Sequence, residues 1–177
     1  MEKQLTGYIA THFFNEAGFA WTEQLAKRIE EDVNIKLYVP QRNATINDKT
    51  KDEDITAMKI AQVDSQHLVD SNVLIACLDG VEIDAGVASE IGFFSALQNV
   101  EHWLETKEGY TVMPRTIVAI YTDIRRNGTG DNRFYINLYT KGLVEIGGHI
   151  VNSTEELIEY LMHIETEFEI LTMNGDI

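Results

Sequence analysis

The chain has 177 residues, 44% of them apolar, which is enough for one well-buried core and suggests a single domain spanning residues 1–177. Its 29 acidic against 14 basic side chains give a formal charge of -15, which would repel phosphate backbones and anionic lipid and so argues against nucleic acid or membrane as partners. A lone cysteine, Cys77, has no partner for an intramolecular disulfide, so a reducing, cytoplasmic setting is expected.

Leu5 to Ala10 reads as a first strand. The residues before it carry no apolar signal-peptide core, and no run in the chain is long enough to span a bilayer, so a soluble, unprocessed protein is expected. Glu16 to Glu31 shows helical spacing, with Phe19, Ala20, Leu25 and Ile29 on one side. Ile35 to Val39 is a second short strand stopped by Pro40, and the polar stretch from Gln41 to Asp54 reads as a long loop of the kind that often forms a lid or binding loop. Helical spacing returns from Ile55 to Val69. The apolar run Asn72 to Leu78 then reads as a strand buried on both faces, with Cys77 as core filling.

A helix is expected from about Ala85 to Gln98, a strand over Thr116 to Tyr121, a helix over Phe134 to Val144, and a last short strand at His149 to Val151. Ser153-Thr154-Glu155-Glu156 is a capping box that opens a final helix to about Ile170. Strict alternation of strand and helix calls for an α/β fold with a parallel sheet, because parallel strands need crossover connections. The expected architecture is flavodoxin-like and doubly wound, with five parallel strands in the order 2-1-3-4-5 and helices on both faces. Ligands of such sheets sit outside the carboxyl ends of the strands at the switch point, between strands 1 and 3 here. The loops after Ala10 and Leu78 would meet there.

Several residues near that point could carry chemistry. Asp84 reads as a helix N-cap, which by itself requires no ligand. Glu90 lies deeper in a helix of small and apolar residues, among them Gly86, Ala88 and Gly92. A carboxylate there needs a partner or a task, because burying it unpaired is expensive, and its small neighbours would let another molecule come close. Viewed alone, Asp64 is a solvated helix-face residue and Tyr8 a core residue. The histidines His12, His67, His102, His149 and His163 lack metal-ligand spacing, so no metal is expected. Asp48, Asp52, Glu53 and Asp54 lack the spacing of a calcium loop. A P-loop, a dinucleotide-binding glycine fingerprint and a nucleophile elbow are all missing, which counts against kinase, dehydrogenase and serine hydrolase readings.

Taken together, Tyr8, Tyr38-Val39-Pro40, Asp64, Ser71 to Ala76, Asp79-Gly80 and the pattern Asp84-x-Gly86-x-x-x-Glu90-x-Gly92 resemble the nucleoside 2-deoxyribosyltransferase family over roughly residues 5 to 151. The resemblance implies transfer of 2-deoxyribose between nucleobases without a cofactor. A glutamate attacks the anomeric carbon of a deoxynucleoside, and a free base intercepts the deoxyribosyl-enzyme with net retention. It makes Glu90 the nucleophile, Asp64 the proton relay to the base, and Tyr8 the group that orients Glu90. Asp84 would bind the sugar 5'-hydroxyl. Asn137 would reach the 5'-hydroxyl in a neighbouring subunit's site, so a homodimer or higher homo-oligomer is implied. Asn43 is a further candidate for contact with base or sugar, and Gly86 belongs to the substrate-binding motif.

One departure stands out. Many family members carry glycine after the first strand where this chain reads Ala10-Thr11-His12-Phe13-Phe14, so Phe13 or Phe14 would stack on the base instead. Two other readings stay open. One is hydrolysis of the N-glycosidic bond of deoxynucleosides or their 5'-monophosphates, against which Asp84 argues by repelling a phosphate. The other is a non-catalytic nucleoside-binding domain.

Overall fold

Alternating side-chain direction along five short apolar strands organises this protein into three layers. The computed structural model describes residues 4–47, 55–133, 135–175 and 177. In chain order the elements are β1 (Leu5–Ala10), α1 (Glu16–Asp32), β2 (Ile35–Tyr38), α2 (Ala44–Asn47), α3 (Ala57–Val69), β3 (Val73–Cys77), α4 (Ala85–Trp103), β4 (Thr116–Ile120), α5 (Leu138–Gly147), β5 (Gly148–Val151) and α6 (Thr154–Asn174). All strand pairs are parallel and the order is β2-β1-β3-β4-β5, as expected from the sequence.

Ile9, Val73, Ile75, Cys77, Val118 and Ile120 point to one face, where they pack with Leu25, Ala26 and Ile29 of α1 and Leu157, Leu161 and Phe168 of α6. Tyr8, Ala10, Leu74, Ala76, Ile117 and Ala119 point to the other, against Leu68 of α3, Val87, Ile91 and Phe94 of α4, and Val144 of α5. This period-2 division matters for the site because it turns Tyr8 toward the layer that carries α3 and α4. Cys77 lies in the first layer, and burial pushes its thiol up to about 12, which suits core filling. No helix among the described residues is long and apolar enough to cross a membrane.

Arg115 ties the second layer together. Its buried guanidinium donates to the carbonyl oxygens of Leu68, Val69 and Ser71 at the C-terminal end of α3, and to Glu101 of α4 at 2.7 Å. A cation there satisfies orphan carbonyls and complements the helix dipole, which fixes α3 relative to α4. On the other side, Gly18 lets α1 approach the β1–α1 connection closely. A Cβ on Gly18 would lie 2.1 Å from the His12 carbonyl oxygen. Gly18→Ala is therefore expected to cost about 1–3 kcal/mol and lower Tm in thermal unfolding, because both the clashing backbone and the capped helix start resist displacement. An unchanged Tm would show that the connection yields freely.

The structure departs from the sequence reading at several boundaries. The loop expected from Gln41 to Asp54 begins with a 3-10 turn at Pro40–Arg42 and the one-turn helix α2, in which Thr45 N and Oγ1 donate to the Asn43 side chain. One turn is too short to show apolar periodicity, so it reads as loop. The acids at 48 and 52–54 lie outside the described residues. The helix expected over Phe134 to Val144 instead starts at Leu138 and runs to Gly147. Asn137 accepts from Thr140 N at 3.0 Å and caps it, so Tyr135 and Ile136 precede the helix, and Phe134 lies outside the described residues. Helix α4 continues past Gln98 to Trp103, and α6 past Ile170 to Asn174. Ser153 caps α6 as the capping box requires, but Glu156 accepts from Asn152 N rather than from Ser153 N.

Candidate active site

Strand register brings two tyrosines together. Tyr8 of β1 and Tyr38 of β2 are direct partners across the parallel pair, and their rings lie 5.3 Å apart at the carboxyl end of the sheet. Each phenol donates to one carboxylate from the helical layer above. Tyr8 Oη donates to Glu90 Oε1 of α4 at 2.5 Å, and Tyr38 Oη donates to Asp64 Oδ1 of α3 at 2.9 Å. The other oxygen of each carboxylate has no hydrogen-bond partner among the described residues. This leaves two acids held side by side, each with one oxygen anchored and one available.

Further groups support Tyr38. Asn43 Nδ2 donates to its hydroxyl at 2.9 Å, and the His67 ring stacks on its face at 3.5 Å with planes 14° apart. Asn43 Oδ1 is occupied by Thr45, so both ends of this amide are engaged within the protein. Asp84 is the N-cap of α4: its Oδ1 accepts from Gly86 N at 2.9 Å and Val87 N at 3.2 Å, while Oδ2 has no partner among the described residues. A Cβ on Gly86 would sit 2.9 Å from Asp84 Oδ1, so glycine there keeps the cap unobstructed.

The electrostatics follow from crowding acids in a half-buried place. Burial pushes the Glu90 carboxyl up to about 7. The Tyr8 hydrogen bond pulls it back, and the charges of Asp64 and Asp84 push it further up. Asp64 is raised above the ordinary carboxylate range by burial, against the lowering effects of the Tyr38 hydrogen bond and His67. Tyr8 and Tyr38 are both held well above the usual phenol range, chiefly by burial, so they stay protonated as donors.

The raised Glu90 has a signed consequence for stability. Unfolded, it ionises near 4.5, but folded only near 7, so its contribution is fully present below 4.5 and is lost as pH rises through 7. Glu90→Gln is expected to exceed the wild type by about 2 kcal/mol at pH 8, with the gap narrowing toward pH 5, as read by urea unfolding at both pH values. A gap independent of pH would remove ionisation as its cause.

Tyr8, Asp64 and Asp84 thus each lie near Glu90, through a hydrogen bond for Tyr8 and charge interactions for the two aspartates. Two other sequence candidates sit apart from these contacts. Phe13 is half-buried and packs on Phe14 with ring centroids 4.7 Å apart. Asn137 is exposed and lines a cavity of about 390 Å³ with Val81, Ile83, Ala88 and Tyr135, beside the start of α4. Tyr38 enters the sequence reading only within the family motif Tyr38-Val39-Pro40, and His67 only as a histidine without metal-ligand spacing; neither is given a role there. The available signal was the pair of tyrosines near the ends of adjacent strands, which acquires meaning only once the register is known.

Comparison with known proteins bears on the fold and the family. A conserved protein from Enterococcus faecalis V583 is 32% identical and superposes with a TM-score of 0.75, over 91% of this chain and 99% of that one. The fold is also shared with a 2-deoxyribosyltransferase from Bacillus psychrosaccharolyticus (15% identity, TM-score 0.57, 86% and 90% of the two chains). A CMP N-glycosidase from Clostridium botulinum shares it too (18% identity, TM-score 0.51, 88% and 96%). No curated protein matches the sequence. The family model described as nucleoside 2-deoxyribosyltransferase matches residues 8–155, which spans every residue from Tyr8 to Asn137 discussed above, and the chain belongs to that family.

Proposed function

We propose that this protein transfers 2-deoxyribose between nucleobases by two displacements at the anomeric carbon, with Glu90 as nucleophile and Asp64 as proton relay. The observation that carries the reading is the pair of separately anchored carboxylates, Tyr8–Glu90 and Tyr38–Asp64, at the carboxyl end of the sheet. In the first displacement the unanchored oxygen of Glu90 bonds to C1'. The C1'–N bond breaks, and the departing base keeps its electron pair and takes a proton from Asp64. In the second, an incoming base loses a proton to Asp64, its nitrogen bonds to C1', and the Glu90–C1' bond breaks. Two inversions give retention.

The first step requires one proton on the carboxylate pair, placed on Asp64 while Glu90 is ionised; the second starts with Asp64 ionised and Glu90 held in the ester. Because the two acids are coupled, kcat/KM for a deoxynucleoside is expected to be bell-shaped. It descends where the pair loses its last proton, near the Glu90 value of about 7.

Asp84 supports a neutral 5'-hydroxyl as the group recognised, through its unengaged Oδ2. Three acids with no cation among the groups that set the Glu90 charge balance would repel a 5'-phosphate dianion. Asn137 is assigned to the 5'-hydroxyl of a partner's site in a homodimer or larger homo-oligomer. Its side-chain Nδ2 has no partner among the described residues, and exposed Leu138, Tyr139 and Tyr135 beside it provide apolar contact area. Phe13 is assigned to stacking on the base. The chain is proposed to work as one domain in nucleoside salvage in the cytoplasm.

Hydrolysis is the second reading, favoured by the fold shared with the N-glycosidase; it differs only in water, rather than a base, reaching the deoxyribosyl-enzyme. The test is to incubate the protein with deoxyinosine and free adenine or cytosine and separate the products. A new deoxynucleoside supports transfer. Free deoxyribose alone assigns hydrolysis, and faster reaction of a 5'-monophosphate overturns the role of Asp84.

A further inference from the structure

The two phenol–carboxylate pairs are built alike but sit on different acids, and the geometry points to Tyr38 as a positioning residue that aims the Asp64 proton at the base, as Tyr8 aims Glu90 at the sugar. This rests on the proposed transfer reaction and deepens it. The register of β1 and β2 places Tyr8 and Tyr38 opposite one another, so a single backbone pairing sets the spacing of both donors. Tyr38 packs against two rings, Tyr8 at 5.3 Å and His67 at 3.5 Å, which limits movement of its hydroxyl.

Asn43 makes the arrangement directional. Its Nδ2 donates to the Tyr38 oxygen, so the one hydroxyl proton of Tyr38 is left for Asp64, where it engages Oδ1. Asp64 Oδ2 is then the oxygen that carries the exchangeable proton, and its direction is set by the anchored Oδ1. Without Tyr38 the carboxyl is free to rotate about its Cβ–Cγ bond, and either oxygen can hold the proton in an unproductive orientation.

The groups facing Asp64 define the pH signature. Tyr38 from β2, Tyr8 from β1, Glu90 from α4 and His67 from its own helix surround it. Of these, the Tyr38 hydroxyl and His67 favour the ionised form. Removing the hydroxyl therefore raises Asp64, moving the ascending limb of the kcat/KM profile to higher pH, while the descending limb associated with Glu90 moves little.

The experiment compares wild type, Tyr38→Phe and Asn43→Ala on deoxynucleosides whose departing bases differ in basicity, with kcat, KM and pH profiles for each. Expected for Tyr38→Phe is a kcat lowered about 10–100-fold, with KM within about twofold. The dependence of rate on base basicity should steepen, because poor leaving groups need the aimed proton most, and the ascending limb should move up. Asn43→Ala should shift the same quantities in the same direction by less, and it serves as the test if Tyr38→Phe fails to fold. Unchanged dependence on the leaving base and an unmoved ascending limb, in variants that fold, would overturn the assignment. Mass spectrometry separates the two claims. If wild type incubated with a deoxynucleoside forms no adduct on Glu90, the transfer reading fails and the role of Tyr38 falls with it. If the adduct forms and the variants behave as wild type, only the role of Tyr38 falls.

Discussion

Glu90→Ala is expected to lower turnover of a deoxynucleoside by at least about 10⁴-fold while leaving nucleoside binding measurable, because neither Tyr8 nor Asp64, its neighbours in the proposed site, can form the bond to C1' in its place. Tyr8 cannot substitute. Its hydroxyl is held protonated by burial and by the neighbouring acids, and a neutral phenol is a poor nucleophile. The second acid, Asp64, is anchored to a different tyrosine on a different strand, so it does not occupy the vacated position. Rapid quench with a deoxynucleoside and no acceptor should give a deoxyribosyl adduct on Glu90 in the wild type and none in the variant. Peptide mapping locates it. Turnover within tenfold of wild type would take Glu90 out of the mechanism, and an adduct on another residue would reassign the nucleophile. The variant should remain folded, since it removes a carboxylate that is costly to ionise in place.

Asp64→Asn is expected to lower turnover about 10²–10⁴-fold, the usual worth of a positioned acid–base group. The shape of the pH profile is the sharper readout. With Asp64 gone, the reaction no longer needs a proton on the pair, so the descending limb should vanish and a single ascending limb remain, reporting ionisation of Glu90. That limb should lie below 7, because the Asp64 charge that helps raise Glu90 is removed. The loss should be greatest for the most basic departing bases and smallest for those that leave readily without protonation. A retained bell-shaped profile would mean that the proton comes from elsewhere, with His67, stacked on Tyr38, the nearest alternative group to examine.

These expectations depend on how the fold places acids. Asp64 and Glu90 come from different helices, α3 and α4, which cover the same face of the sheet. Their separation is maintained by strand pairing below and by Arg115, whose guanidinium joins the end of α3 to α4. A carboxylate pair on two rigid helices can hold a fixed geometry through two successive displacements, which a pair on loops would not do as well.

The strand–helix alternation, the buried run Val73 to Cys77 and the sheet order were legible from periodicity and from the need of parallel strands for crossovers. The spacing of Asp84, Gly86 and Glu90 was also legible, because a cap and a position six residues beyond it are local properties of one helix. Helix α2 and the late start of α5 were not, since one-turn helices and side-chain caps leave little mark on apolar spacing. Nor was the inward use of the Asn43 amide, which depends on where Tyr38 stands.

The amino-acid sequence by itself determined the architecture, the anionic character of the chain and the family resemblance, because these follow from pattern, composition and short-range spacing. Only the tertiary structure decided which tyrosine holds which acid. Tyr8 and Tyr38 are thirty residues apart, and Asp64 and Glu90 twenty-six. Their pairing is set by the register of two strands and the packing of two helices over one face, and no local pattern encodes either.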